Sequence, residues 1–354
     1  MTNYKKEIEE LIALVIKENA SDLHISAFRR PTIRIDGQLK VLNDKPVYSP
    51  EDSLNVLFEL IDEKLKKEFL EKRDLDFSYT AKAGVRFRGN AYFQKGFVSI
   101  ALRHVPREIR TLEELRLPKI LENFARQKQG FFLVVGPVGQ GKSTTLASLI
   151  DLINKERAEH ILTIEDPMEY VFKEDKSIIN QREVRFDTQD FKTGLRAMFR
   201  EDINVAMIGE MRDAETIGTA VTAAETGHLI FSTLHTNSAA QTIDRIIDSF
   251  PPNQQGQIKL QLAASLLGIF SQRLVNRVEG GLVPAYELLI NNSAVANLIR
   301  EGRTNEINVV IETGSEEGMI DMNRTLAALV TQGEISRDEA IRHSVNPKEL
   351  AKII

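Results

Sequence analysis

The chain has 354 residues, which is enough for two domains of ordinary size. Its net charge of -5 argues against a protein that binds nucleic acid through its overall charge. It contains no cysteine, which excludes disulfides, thiolate-bound zinc, iron–sulfur clusters and a cysteine nucleophile and is typical of a reducing compartment.

The first twenty residues predict an amphipathic helix, because Ile8, Leu11, Ile12 and Val15 recur at helical spacing. This stretch lacks the basic and then apolar pattern of a signal peptide. No apolar run in the sequence approaches the roughly 18 residues of a membrane span. We therefore expect a cytoplasmic protein, or one that docks on a membrane machine from the inside.

Two hairpins are predicted in the first hundred residues. Asp36-Gly37 lies between runs of alternating apolar residues, a strong signal for a two-residue turn. Lys95-Gly96 joins the strands "VRFRGNAYF" and "FVSIALRHV". Between the hairpins, Ser49 is predicted to cap a helix. Together these elements indicate a small mixed domain.

Arg86 and Arg88 alternate with apolar residues, which puts both side chains on one face of the strand "VRFRGNAYF". Arg103, in the next strand, is a third arginine of interest. Two arginines on one strand face are usually a solvated edge. The sharper hypothesis is that these arginines reach a triphosphate from another domain or subunit, where they would stabilise transition-state charge.

The stretch "PREIRTLEELRLP" is charged and bracketed by prolines, so we interpret it as an interdomain linker with a short helical turn. It divides the chain into an N-terminal domain (residues 1–105), a linker (106–118) and a C-terminal domain (119–354). In the C-terminal domain short apolar runs alternate with helical patterns, which predicts a parallel sheet covered on both faces.

Four apolar runs predict strands of that sheet: "FFLVV", "ILTI", "VAMI" and "LIFSTL". Each is followed directly by polar residues, namely a glycine-rich loop, Glu165-Asp166, Glu210 and His235. Ligands of open α/β sheets bind at the carboxyl ends of the strands. The four strand ends are therefore predicted to form one site.

The stretch "GPVGQGKS" matches the phosphate-loop pattern G-x-x-x-x-G-K-[ST], with a strand before it and a helix after it. Its backbone N–H groups and the helix N-terminus would bind phosphate oxygens. Lys142 would reach the β- and γ-phosphates of a nucleoside triphosphate, and the Ser143 hydroxyl would ligate Mg²⁺. The predicted nucleotide-binding residues are Gly136, Pro137, Val138, Gly139, Gln140, Gly141, Lys142, Ser143 and Thr144.

Glu210 is predicted to orient or deprotonate the attacking water, or to act through Mg²⁺, partly by way of water. In "ILTIEDPMEY", Glu165 is a second candidate for a group directed at water or magnesium. Asp166 and Glu169 are expected in the same layer. The alternative for this stretch is an acidic turn that caps a helix.

His228 and His235 flank the run "LIFSTL". A metal pair is a weak hypothesis, because their odd separation across a strand puts them on opposite faces. His235, at the strand's end, is predicted to sense the γ-phosphate or to hydrogen-bond the catalytic carboxylate. His228 is expected at the far end of the strand, where a structural role is an equal alternative.

The order of phosphate loop, "TIEDPMEY", "MIGEMRD" and "ETGHLIFSTLHTNSA" resembles the secretion-ATPase superfamily of type IV pili and type II secretion. The resemblance covers nearly the whole chain, since "ASDLHIS", "DRIIDSFP" and "SQRLV", with Arg273, are also similar to family segments. Within the superfamily the chain resembles the retraction ATPases of twitching motility: it is compact and lacks the four-cysteine metal loop typical of assembly and secretion members. The segment "NSAVANLIREGRTNEI", with Arg300, is similar to a segment associated with retraction.

This resemblance implies a RecA-like P-loop ATPase domain preceded by a smaller PAS-like α+β domain, assembled into a homo-hexameric ring. It implies Mg²⁺-dependent ATP hydrolysis, with arginines of the N-terminal domain facing the phosphates. The motor would dock from the cytoplasm at the inner membrane and retract pili through a platform protein of the PilC type. A paralogous retraction ATPase is a further expected partner, and nucleic acid is not expected.

Three features depart from the family pattern. Val138 and Gln140 stand where the phosphate loop more often has Thr and Ser, and Ala296 replaces an arginine in the retraction segment. Ile203-Asn204 replaces a usual Pro-Asp, and a lost acid there would bear on magnesium handling.

Other functions remain open at this point. One is a pilus-assembly or type II secretion ATPase of the same superfamily, and another is a non-hydrolysing accessory subunit, suggested by Ile203-Asn204. Arginine-rich stretches such as "AFRRP" suggest a RecA-like nucleic-acid translocase only weakly. An aromatic content of 6% and a pI of about 5.8 argue against the stacking platforms and basic channels of such a protein.

Overall fold

A computed structural model describes residues 3–35, 37–82, 84–106 and 108–354. The described chain divides into two compact units. Unit 1 holds the residues before Glu108 together with Glu169–Val171, and unit 2 holds Glu108–Met168 and Phe172–Ile354.

The described residues of unit 1 form three helices and one antiparallel sheet with the strand order β3-β2-β1-β6-β5-β4. In chain order the elements are α1 (Tyr4–Lys17), β1 (Asp22–Ser26), β2 (Thr32–Ile35), β3 (Gln38–Val41), α2 (Pro50–Leu60), α3 (Glu63–Lys72), β4 (Asp74–Thr80), β5 (Arg86–Gln94) and β6 (Phe97–Val105). The prediction of a small α+β domain is confirmed.

The predicted hairpins are present. Strands β2 and β3 pair with Ile35 opposite Gln38. Gly37 has a φ of +79°, the left-handed region that the turn requires. Asp36 lies outside the described residues. The turn between β5 and β6 also uses positive φ angles, at Lys95 and Gly96.

Local sequence accounts for the helix starts and strand faces of unit 1. The apolar stripe predicted for α1 is buried. The Ser49 side chain accepts a hydrogen bond from the backbone N–H of Asp52, so it caps α2 as predicted. In β5 the side chains of Phe87 and Ala91 are buried whereas Arg88 is partly exposed, which confirms the predicted alternation.

Unit 2 is built around a seven-stranded sheet with helices on its flanks. Its elements are α4 (Leu121–Ala125), β7 (Gly130–Val135), α5 (Lys142–Glu156), β8 (His160–Glu165), β9 (Ile178–Glu183), α6 (Phe191–Met198), β10 (Val205–Ile208), α7 (Ala214–Glu225), β11 (Leu229–Leu234), α8 (Ala239–Asp248), α9 (Pro252–Ser265), β12 (Leu266–Asn276), β13 (Leu282–Ile290), α10 (Ser293–Glu301), α11 (Ile307–Thr313), α12 (Met322–Thr331), α13 (Arg337–His343) and α14 (Pro347–Ile353).

The strands of this sheet are arranged in the order β13-β12-β7-β11-β10-β8-β9. All neighbouring pairs are parallel except β12 and β13. Every residue of β7, β10 and β11 is buried, so both faces of the central strands are covered. The predicted α/β class is confirmed, and β9, β12 and β13 are strands that the sequence did not reveal.

The proline-bracketed stretch forms a short turn, in which the backbone N–H of Leu115 donates to the carbonyl oxygen of Thr111 at 3.0 Å. Leu112 and Leu117 of this turn are buried. The stretch belongs to unit 2 from Glu108 onward, and residue 107 lies outside the described residues. Across the described ranges, no helix is both long and apolar enough to cross a bilayer.

Candidate nucleotide-binding site

The loop between β7 and α5, residues 136–141, contains three glycines, which leave its backbone accessible to a ligand. Gly136, Gly139 and Gly141 have φ angles of +145°, +78° and +77°. Helix α5 begins at Lys142, so the first N–H groups of this helix end lie next to the loop. Val138, at the tip of the loop, is 80% exposed. This geometry is suited to binding phosphate through backbone N–H groups.

Lys142 is folded back over this loop. Its Nζ donates to the carbonyl oxygens of Gly136 (2.9 Å) and Pro137 (2.8 Å). The same Nζ lies 3.3 Å from Nδ1 of His235. Ser143 follows in the first turn of α5. The lysine therefore sits where the loop and the neighbouring strand end meet.

His235 lies between Lys142 and Glu210. Its Nε2 is 3.4 Å from Oε1 of Glu210, on the opposite side of the ring from the lysine contact. This follows from strand order, because β11 lies directly between β7 and β10. His235 thus stands at the end of its strand and beside the carboxylate, the place that the sequence predicted.

Glu210 is an ionised carboxylate in this cluster. The guanidinium of Arg212 donates to its Oε2 at 2.7 Å. This hydrogen bond holds the pKa of the Glu210 carboxyl below its usual value; partial burial opposes the shift, and the positive charges of Arg212 and Lys142 add to it. Arg212, which the sequence did not single out, also interacts with the charge of Asp166. The carboxylate is therefore available to accept a proton at neutral pH.

Glu165 is buried at the end of β8. Its Oε1 accepts hydrogen bonds from Thr163 Oγ1 (2.7 Å) and Gln181 Nε2 (3.3 Å), which lie on β8 and β9. A Cβ on Gly209 would lie 3.4 Å from the Cα of Glu165, so the ends of β8 and β10 are adjacent. Strand order places Glu165 one strand farther from the phosphate loop than Glu210.

The acids of "ILTIEDPMEY" are divided between the two compact units. Asp166 acts on Arg212 of unit 2, whereas Glu169 belongs to the short segment that clusters with unit 1. There, Oε1 of Glu169 lies 3.5 Å from Nη1 of Arg88.

The three candidate arginines lie in neighbouring strands of unit 1. Arg88 and Arg103 are cross-strand partners on β5 and β6, and Arg86 begins β5. Arg103 Nε donates to the buried carboxylate of Asp22 at 2.9 Å, and Arg34 lies 3.8 Å from the same carboxylate. Arg103 therefore already forms an ion pair within unit 1.

His228 has a structural environment at the amino end of β11. Its Nδ1 lies 3.0 Å from the carbonyl oxygen of Ala223, and its ring packs edge-on against Phe199. Its position at the far end of the strand agrees with the prediction. These contacts favour the structural alternative over a role in the cluster around Glu210.

Arg273 and Arg300 are outside this cluster. Arg273 Nη1 donates to the carbonyl oxygen of His343 at 2.7 Å, which ties β12 to α13. Burial lowers the pKa of the Arg273 guanidinium. Arg300 is exposed on α10 and donates to Asn297.

The Ile203-Asn204 departure lies at the amino end of β10. The strand runs from Val205 to Ile208, so Asn204 and Glu210 are at opposite edges of the sheet. The Asn204 side chain accepts a hydrogen bond from the backbone N–H of His160 at 2.8 Å. The substitution therefore lies at the sheet edge opposite to Glu210.

One residue that contacts the loop was missed by sequence reasoning. Gln272, on β12, is buried and hydrogen-bonds both the loop residue Gln140 and the helix residue Thr145. Its only sequence signal was its place in the family-like segment "SQRLV". Ala296, the third departure, is partly buried against the core of unit 2.

Known proteins resemble the chain over nearly its whole length. The type IV pilus retractation ATPase PilT of Pseudomonas aeruginosa is 42% identical over 347 residues, which cover 98% of this chain and 98% of that protein. The type IV pilus ATPase PilU of the same organism is 38% identical over 349 residues, which cover 98% of this chain and 91% of that protein.

A crystal structure of the pilus retraction motor PilT with bound ADP has a TM-score of 0.92 and 47% identity, and the match covers 98% of this chain and 99% of that one. A family model described as type II/IV secretion system protein matches residues 2–347. The chain therefore belongs to the type II/IV secretion system protein family, in its branch of PilT-type ATPases.

Proposed function

We propose that this chain is a homo-hexameric motor that hydrolyses ATP with Mg²⁺ and retracts type IV pili. The observation that carries the proposal is the line formed by Lys142, His235 and Glu210 at three adjacent strand ends. This line joins a phosphate-binding lysine to an ionised carboxylate through one imidazole. The similarity to PilT over 98% of the chain supports the same activity.

In the proposed reaction, the phosphates of ATP are bound by the Lys142 side chain and by the backbone N–H groups of residues 136–144 other than Pro137, which has none. Glu210 accepts a proton from the water whose oxygen attacks the γ-phosphorus, and the bond between this phosphorus and the oxygen that bridges to the β-phosphate breaks. The products are ADP and inorganic phosphate, and Glu210 gives its proton to the phosphate or to solvent. His235 holds the Glu210 carboxylate in place and senses whether a γ-phosphate is bound. Glu165 is proposed as a second acid directed at the attacking water or at magnesium.

The residues present fit a magnesium ion bound together with the nucleotide. Ser143 would supply a hydroxyl and Glu210 a carboxylate, partly through water, and both are the oxygen ligands that Mg²⁺ prefers. In the described ranges no group of three acidic or histidine side chains is arranged to hold a metal by itself. That agrees with an ion whose remaining ligands are phosphates and waters. Bound there, the ion would neutralise charge on the β- and γ-phosphates.

Arg86, Arg88 and Arg103 are proposed to stabilise the charge that develops on the transferred phosphate. A head-to-tail ring is the assembly expected when one subunit supplies groups to the site of the next. We propose the functional division into residues 1–105, a connection at 106–118 and an ATPase domain at 119–354. The two compact units of the chain support it.

The proposed function also implies partners for the motor. The motor would dock from the cytoplasm at the inner membrane on a pilus platform protein of the PilC type. A paralogous ATPase would share the work, which is supported by the presence of relatives named PilT and PilU in one organism.

A Glu210→Gln substitution at the native locus tests the direction of the motor. More surface pili together with loss of twitching would support retraction. Bald cells would indicate a pilus-assembly ATPase, the second candidate, which the altered retraction segment at Ala296 favours. Unchanged piliation and motility would overturn both. Phosphate release and the molar mass of the purified protein would test hydrolysis and the six-subunit ring separately.

A further inference from the structure

Gln272 makes two hydrogen bonds to the phosphate-loop region from a different strand. The residue lies on β12, which pairs with β7 in the sheet, and it is 3% exposed. Its Nε2 donates to the carbonyl oxygen of Gln140 at 2.8 Å, and its Oε1 accepts from Thr145 Oγ1 at 2.6 Å. One amide thus spans the last part of the loop and the first turn of α5.

The contact is reciprocal. Oε1 of Gln140 accepts a hydrogen bond from the backbone N–H of Leu274 at 2.7 Å, two residues beyond Gln272 on the same strand. A serine, the more usual residue at position 140, is two bonds shorter and has no atom at the place of this Oε1. Glutamine at position 140, in place of the more common serine, therefore adds a hydrogen bond between the loop and β12.

Gln272 also approaches both outer glycines of the loop. A Cβ on Gly136 would lie 2.3 Å from the carbonyl oxygen of Gln272, and a Cβ on Gly141 would lie 2.9 Å from its Nε2. The loop therefore lies directly against this one residue at its beginning and at its end.

We infer that Gln272 is a positioning residue that, together with Gln140, holds the phosphate loop in its binding shape before the nucleotide arrives. The inference rests on the proposed function, because it assumes that this loop binds ATP. Glycine-rich segments lose much conformational freedom when they become ordered. A loop that is already held in place avoids that loss at the moment of binding, which raises affinity.

The affinity of the full-length protein for ADP tests the inference, because ADP binding does not depend on turnover. Gln272→Met keeps a similar volume and removes both amide hydrogen bonds. We expect the Kd for ADP and the KM for ATP to rise about tenfold. The kcat at saturating ATP should stay within about threefold, since Glu210 and His235 are untouched.

A matched pair at Thr145 isolates one of the two bonds. Thr145→Val removes the hydroxyl that donates to Gln272, and Thr145→Ser keeps it. We expect a raised Kd for ADP with Val and a near-normal Kd with Ser. This pair also decides the question if Gln272→Met fails to fold, because equal Kd values for Val and Ser would overturn the inference.

A loss of stability alone must be distinguished from a loss of positioning. Thr304→Val serves as the control, because this buried hydroxyl donates to Oδ1 of Asp244 at 2.6 Å, and neither residue belongs to β7, α5 or β12. It should lower the unfolding midpoint without changing the Kd for ADP. Gln272→Met with a normal Kd and only a lowered midpoint would overturn the inference. Wild-type protein that binds no ADP would overturn the proposed function itself.

Discussion

The carbonyl oxygen of Gln272 lies 2.3 Å from the position that a Cβ on Gly136 would occupy. Gly136 also has a φ of +145°, which L-residues with side chains rarely adopt. An alanine at this position must displace backbone rather than a flexible side chain. We expect Gly136→Ala to lower ADP affinity at least about tenfold, since the loop must move from its binding shape.

Gly333→Ala is the control for backbone strain without a clash. Gly333 has a φ of +73°, and no described atom lies within 4 Å of a Cβ built there. Its alanine variant should lose roughly 1–2 kcal/mol of unfolding free energy and keep normal ADP affinity. Isothermal titration and urea unfolding would measure the two effects, and equal ADP affinities in both variants would contradict the prediction.

Glu210→Gln should abolish most turnover while leaving nucleotide binding intact. The amide cannot accept the proton of the attacking water, so we expect kcat to fall about 10²–10⁴-fold. The Kd for ADP should change little, because the loop and Lys142 are preserved. Phosphate release at saturating ATP is the measurement, and a variant with more than about a tenth of normal kcat would show that another group is the base.

His235 and His228 form a natural pair for comparison, since they stand at opposite ends of β11. His235→Gln should lower kcat about tenfold or more, because its ring contacts both Lys142 and Glu210. His228→Gln should instead lower the unfolding free energy by about 1 kcal/mol, through its contacts with Ala223 and Phe199. A loss of kcat in the His228 variant would contradict the structural role.

The arginines of unit 1 can be separated by what else they contact. Arg88→Gln should lower kcat by about 10²-fold or more if this guanidinium stabilises the transferred phosphate. Arg103→Gln should lower kcat too, and it should also cost about 1 kcal/mol of stability because buried Asp22 loses a donor. Adding Asp22→Asn to Arg103→Gln should restore stability but not turnover. If the double variant recovers both stability and turnover, the role of Arg103 is structural only.

Stability should depend on pH through Glu287. Burial raises the pKa of this carboxyl to about 7 from 4.5; the hydrogen bond from Ala239 and the charge of Arg273 oppose the shift, and Asp321 adds to it. The folded state therefore holds a proton that the unfolded state releases, so the unfolding free energy falls as pH rises from about 4.5 to about 7.

Glu287→Gln removes this dependence while keeping an acceptor for the Ala239 N–H. We expect the variant to gain roughly 1–3 kcal/mol relative to wild type between pH 5 and pH 8, at about 1.4 kcal/mol per pKa unit. Urea unfolding at the two pH values is the measurement. Parallel pH profiles of the two proteins would show that Glu287 titrates normally.

Elements with a strong local pattern could be predicted from the chain alone. The runs that became β7 and β10 are continuous apolar segments, and those that became β8 and β11 are interrupted only by the hydroxyl residues Thr163, Ser232 and Thr233, because strands buried on both faces have few polar residues. By contrast, β12 carries Ser271 and Gln272, two buried polar residues whose partners lie far away in the sequence. Such a strand resembles a half-exposed segment until those partners are known.

The sequence could not predict which strand ends would be neighbours. The acidic stretch at Glu165 comes next in the chain after the phosphate loop, yet β11 and β10 lie between it and β7. Helical crossovers allow parallel strands to be inserted in several orders, and packing of the whole sheet selects one. For this reason His235, 93 residues beyond Lys142, contacts the lysine.

By itself, the sequence determined the features that depend on neighbouring residues: the glycine-rich loop before α5, the buried stripe of α1 and the cap of α2. These depend on backbone preferences and periodicity within a few residues. The tertiary structure decided the line from Lys142 through His235 to Glu210 and the contact of Gln272 with Gly136. Both depend on contacts between strands that are distant in the chain, which form only when the sheet is assembled.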